Sequence, residues 1–188
     1  KMLSVLMTIA PIGIFCLISK TFATQGLSSI LELIKYFFGV VLVIITHLFI
    51  VYIPLVKFLG KINIQKFFSG IKQIVLFAFS TSSSSATIPI TLQNLNKNFN
   101  VKPRVSSFTV PLGATINMDG TAIMQGMATI FIANIYNIDL LFSDYLSIIL
   151  TATLASVGTA GVPGVGIIML GMVLNQVGLP LEGVAIVI

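Results

Sequence analysis

Long apolar runs, interrupted at a few points by small or polar residues, organise this chain. Residues 2–23 form the first run, with Pro11 as a kink. Residues 36–56 form the second, whose one polar interruption is Thr46-His47. Each reaches the roughly 20 residues that a spanning helix needs. The link at 24–29 contains Gly26. A third run, 105–135, is apolar except for Asn117-Met118-Asp119-Gly120-Thr121 at its middle. Two further stretches are split. Residues 74–79 and 86–95 flank Ser80-Thr81-Ser82-Ser83-Ser84-Ser85, and residues 145–157 and 167–174 flank a turn-prone segment at 158–166. Residues 181–188 begin another helix. The pattern predicts an all-α chain.

Composition decides the solvent. Of the 188 residues 56% are hydrophobic and 8% charged, with a mean hydropathy of +1.09. Soluble domains carry about 25% charged residues, so this surface faces lipid. The net charge of +5 does not mark a nucleic-acid binder, because the basic residues flank apolar runs and none follows Arg104. That distribution is membrane topology. Lys57, Lys61, Lys66 and Lys72 form one basic cluster, and Lys97, Lys102 and Arg104 a second. If both lie inside, the chain between them enters and leaves on one side, as a re-entrant hairpin. Irregular backbone at membrane depth is tolerated only where it is buried in protein or lines a cavity, so the serine-rich tip should face a site. The loop holding Asp139 and Asp144 is acidic, as expected outside. Cys16 supports no disulfide or metal framework and reads as a small lipid- or helix-facing residue. His47 reads as a hydrogen-bond partner for a neighbouring helix. No leader-peptide cleavage motif follows the first apolar core, and both ends read as cut.

The two split stretches repeat one another. Ser82-Ser83-Ser84-Ser85-Ala86-Thr87-Ile88-Pro89 lies over Ser156-Val157-Gly158-Thr159-Ala160-Gly161-Val162-Pro163 in register. Paired interrupted segments point to a transporter binding site. A broken helix exposes N–H groups at one half's N-terminus and carbonyls at the other half's C-terminus. The first suit an anionic group and the second a hard cation.

Asp119 is the only acid between Glu32 and Asp139. Uncompensated at a helix centre it would cost about 2.5–3.5 kcal/mol. A cation, a proton, or a capping role at the restarting helix would offset that. Asn117 offers a side-chain oxygen and a freed carbonyl, or an interhelical hydrogen bond. Ser83, Ser84 and Ser85 offer hydroxyls and N–H groups, or only a close approach of backbones.

Residues 81–89, 113–121 and 156–164 resemble the dicarboxylate/amino acid:cation symporter family, which includes the glutamate transporters. The likeness covers essentially the whole chain in order. It implies two outer transmembrane helices at 1–57 and a transport core at 58–188. Within the core it implies a first re-entrant hairpin at about 64–97, a broken helix at about 104–135, a second hairpin at about 143–177 and the start of a final helix at 181–188. It further implies substrate contacts at Ser83, Ser84, Ser85, Thr121, Gly161, Val162 and Gly166. Sodium ligands are implied at Gly113, Thr115, Asn117, Met118, Asp119, Ser156, Val157 and Thr159. Gly113 and Thr115 would otherwise read as packing residues, and Met118 fits a packing role as well as a seat between the two sites. A substrate arginine is placed beyond this sequence, since Ser82 stands where some members carry one.

The function so implied is sodium-coupled uptake of glutamate or aspartate by alternating access, without enzymatic chemistry or a bound cofactor. The setting would be the cell membrane, multi-pass, in a homotrimer held by N-terminal scaffold helices. The partners would be an amino acid or dicarboxylate, Na⁺ and membrane lipid. Proton coupling, and neutral amino acids, cystine or C4-dicarboxylates as substrates, are the alternatives. An intramembrane hydrolase would need a Gly-x-Ser-x-Gly nucleophile elbow, which is absent. Two discontinuous hairpins could line a channel.

Overall fold

The computed structural model describes residues 12, 15, 16, 19 and 28–187, with side chains from 31 onward in the continuous part. The first apolar run, 2–23, lies outside the described residues except at 12, 15, 16 and 19, which are helical. Cys16 is exposed. Among the described residues the regular structure is entirely helical.

Helix α1 starts at Ser28–His47 and continues through wide turns at Leu48–Tyr52 and Leu55–Leu59. Its apolar part, Leu31–Leu59, is 29 residues long. At 1.5 Å per residue that is about 40 Å, more than a hydrocarbon core of about 30 Å. Pro54 explains the wide turns. It has no N–H to give to the carbonyl four residues back, and the ladder re-forms at five-residue spacing. Ile53 N–H bonds the Leu48 carbonyl and Gly60 N–H the Leu55 carbonyl.

Asn63 caps helix α2 (Ile64–Thr81), its side-chain oxygen accepting from the Gln65 and Lys66 amides. Ser82, at φ 47°, reverses the chain. Ser83 then caps α3 (Ser84–Asn98) by accepting from the Ala86 amide. The base of this helical hairpin is closed by Asn98 Nδ2 donating to the Gly70 carbonyl at 3.4 Å, with Phe67 beside Phe99. Pro103, a favoured first helical residue, opens α4 (Pro103–Ile116). Only Asn117 and Met118 leave the helix before α5 (Asp119–Ile135) begins. The interruption is therefore shorter than the five-residue motif suggested, because Asp119 already suits the positive end of α5. Helices α6 (Phe142–Val157) and α7 (Val165–Gln176) form a second antiparallel pair, packed on α5. A short 3₁₀ turn at Leu181–Gly183 leads into α8 (Val184–Val187).

The buried core sits in the C-terminal half. Ala128, Phe131, Ile132 and Ala133 of α5 meet Leu170 and Leu174 of α7, with Leu179 and Ile186 closing one end. Ile148 and Ala152 of α6 pack with Val173. Tyr36 of α1 stacks on Phe131, with ring centroids 4.9 Å apart. Helix α2 buries no residue, and α3 buries only Thr87 and Asn94. Large apolar side chains such as Phe79, Phe108 and Phe142 lie exposed. In water that surface would drive aggregation; in lipid it is the ordinary outer face.

Candidate functional site

The two hairpin tips meet. The Gly161 carbonyl accepts from the Ser83 hydroxyl at 2.8 Å and from the Ser85 amide at 2.9 Å. Seventy-eight residues separate Ser83 from Gly161, so only the fold joins them. A side chain at 161 would not fit, since a Cβ there would stand 2.9 Å from Ser85 Oγ and 3.1 Å from the Ser85 nitrogen. Ser84, whose Cβ would stand 3.0 Å from that added atom, also lines a groove of about 340 Å³ shared with Thr87, Thr91, Thr109, Gly113 and Asn117.

Behind the second tip, Gly166 presses on the broken helix. A Cβ at 166 would lie 3.1 Å from Thr121 Cγ2. Gln125, fully buried, donates through Nε2 to the Gly166 carbonyl at 3.0 Å, and its own Oε1 has no partner among the described residues. Val162 is exposed at the tip. Gly164, at φ 84°, holds the left-handed conformation from which α7 starts.

At the break, the Asn117 amide bonds the Gly113 carbonyl at 3.0 Å. Among the described residues no backbone N–H bonds the carbonyls of Thr115 or Asn117. The Thr115 hydroxyl turns back to the Leu112 carbonyl. Met118 is half-buried, and its carbonyl accepts from the amides of Thr121 and Ala122. In the second tip the Ser156 and Thr159 hydroxyls also turn back, onto Thr153 and Ala155. The Val157 and Thr159 carbonyls take no backbone bond among the described residues. A cation at this tip would therefore meet backbone oxygens and not hydroxyls.

Asp119 points elsewhere, towards α1. Its Oδ2 accepts from the Tyr52 hydroxyl at 2.6 Å and lies 3.2 Å from His47 Nε2. The candidate residues thus form separate clusters: the tips, the break, and the Asp119 carboxylate on the outer helix. No group of three or more His, Cys, Asp or Glu gathers among the described residues, so a cation here would depend on carbonyls and one carboxylate.

The profile of the sodium:dicarboxylate symporter family matches residues 1–188. The chain belongs to that family. As a sodium:dicarboxylate symporter family member it is a membrane protein. It is 42% identical over its whole length to excitatory amino acid transporter 1 of Ambystoma tigrinum, and 40% to that of Homo sapiens. An excitatory amino acid transporter of Caenorhabditis elegans is 40% identical, again across the entire chain. These matches cover 35%, 35% and 38% of the relatives, so the chain spans about a third of their length.

Two site residues of this family member escaped sequence reasoning. Gln125 sits in an apolar run, and a buried amide there is a polar signal of the same kind as Asn117. Tyr52 gave no usable signal. It stands five residues after His47, and regular helical periodicity puts such a pair on different faces.

Proposed function

We propose that this chain is the substrate- and cation-binding part of a secondary symporter that couples Na⁺ entry to uptake of glutamate or aspartate. The carrying observation is the Gly161 carbonyl held by Ser83 and Ser85. Two donors converge on one oxygen there, which is the arrangement a substrate carboxylate oxygen would need. On this reading the second tip fills the anion position when substrate is absent, and substrate displaces it. The names and roughly 40% identity of the matched relatives favour an acidic amino acid.

Substrate docks between the tips, its carboxylate on Ser83, Ser84 and Ser85, with Thr121, Val162 and Gly166 lining the other side. Na⁺ is a co-substrate. It is taken up at the break by Gly113, Thr115, Asn117 and Met118, at the Asp119 carboxylate that faces α1, and at the second tip by the carbonyls of Ser156, Val157 and Thr159. The second tip acts as the outer gate. Cation binding favours closure only if the closed tip coordinates the ion better than the open one. Both hairpins are re-entrant on this reading. At 1.5 Å per residue, α2 and α3 reach about 27 and 22 Å, and α6 and α7 about 24 and 18 Å, all short of a core of about 30 Å. The setting is the cell membrane, and the assembly is a homotrimer held by segments outside this chain.

Uptake of labelled L-aspartate and L-glutamate by the full-length protein in proteoliposomes tests the reading. A Na⁺ gradient should drive uptake and Asp119→Asn should abolish it. Uptake driven only by a pH gradient would replace sodium with protons. Uptake of neither substrate would move the assignment to neutral amino acids, cystine or dicarboxylates.

A further inference from the structure

The irregular stretch of α1 and the carboxylate of Asp119 belong together. In a regular α-helix five residues turn through about 500°, which leaves residues 47 and 52 about 140° apart. The wide turn at Leu48–Tyr52 closes hydrogen bonds at five-residue spacing and brings positions five apart close to register. The His47 and Tyr52 rings accordingly lie 5.3 Å apart, edge to face. Both reach one atom, Asp119 Oδ2. Among the described residues no side chain hydrogen-bonds Oδ1. The carboxylate is not sealed, its side chain remaining 41% exposed.

These bonds are not needed to dock α1. Tyr36 stacked on Phe131 already holds it to α5, and Gly39 brings the backbone so close that an added Cβ would meet Met127 Cε at 3.0 Å. The hydroxyl of Tyr52, at the other end of the contact, does something else. Two donors on one carboxylate oxygen fix the carboxylate's rotation and leave the second oxygen with no side-chain partner among the described residues, so that it can meet a ligand that carries no proton, such as Na⁺.

We propose that Tyr52 and His47 are positioning residues for the cation: they clamp Asp119 Oδ2 so that Oδ1 is presented to Na⁺. This rests on the reading of Asp119 as a cation ligand. A hydrogen bond to a charged group is stronger than one between neutral groups, so losing the Tyr52 hydroxyl should matter without destroying the site.

The test is Na⁺-dependent binding of labelled L-aspartate to the purified full-length protein, which needs no turnover. Tyr52→Phe should raise the half-saturating Na⁺ concentration about tenfold, equivalent to about 1.4 kcal/mol. Aspartate affinity at saturating Na⁺ should stay within about twofold of the parent, a split that a loosened fold would not give. His47→Leu should shift the Na⁺ dependence in the same direction. His47→Gln, which keeps an N–H donor, should restore most of it. In an Asp119→Asn background Tyr52→Phe should add nothing. An unchanged or tighter Na⁺ dependence in Tyr52→Phe, with Asp119→Asn still impaired, overturns the clamp and leaves the cation site standing. A normal Na⁺ dependence in Asp119→Asn overturns both.

Discussion

Gly161 carries two roles that pull on its size. Its carbonyl must reach the Ser83 hydroxyl and the Ser85 amide, and its α-carbon must clear the first tip. Gly161→Ala would set a methyl 3.1 Å from a backbone nitrogen, which a flexible side chain cannot relieve. Overpacking of that kind costs about 1–3 kcal/mol, enough to separate the tips without unfolding the helices behind them. Cys16 is the one cysteine of these 188 residues, and a full-length background with every native cysteine replaced by serine, Cys16 included, gives a clean reporter. In it, Val162→Cys should react with a thiol reagent several-fold faster when Gly161→Ala is added. An equal rate would mean that the tips are held by other contacts. This contact was not legible in the sequence. Register between the two tips showed that they resemble each other, but likeness of two segments says nothing about which atom of one touches the other.

At the scale of elements, apolar runs announced the helices, and polar or small residues inside those runs announced where they stop. Asn117 marks the end of α4 because its freed backbone and amide suit an irregular junction. The other edge was misplaced because Asp119 is read as equally at home in a break and at a helix start, and the start won. Helix α1 shows a different limit. Its pattern is apolar on every side, so no periodic signal distinguishes a regular ladder from one with five-residue turns, and the face of Tyr52 stayed hidden. Pro54 is the local cause of those turns. Restoring the N–H with Pro54→Ala should let the helix regularise and swing Tyr52 away from Asp119. The half-saturating Na⁺ concentration should then rise as it does for Tyr52→Phe, although residue 54 touches no ligand on the proposed reading. If Pro54→Ala binds Na⁺ normally, the wide turns are held by packing and not by the proline.

For the whole molecule, membership of the sodium:dicarboxylate symporter family and the exposed apolar surface agree on a lipid setting, but the topology of the first hairpin is a separate question that charge alone raised. Lys66 sits in the first turn of α2 and Lys97 in the last turn of α3. The closed base between Gly70 and Asn98 puts both at one end of the hairpin. If the hairpin is re-entrant, that end faces the cytoplasm, and the loop with Asp139 faces outward. Single cysteines in the same cysteine-free full-length background separate the cases: Lys66→Cys, Lys97→Cys and Asp139→Cys. With a membrane-impermeant maleimide, the first two should label only from the inner face, and the third only from the outer face. Lys66→Cys and Lys97→Cys labelling from opposite faces would mean that the segment crosses the bilayer. The serine tip would then lie within a spanning segment and not at the end of a re-entrant hairpin, and the proposed meeting of substrate with Ser83, Ser84 and Ser85 would lose its geometry.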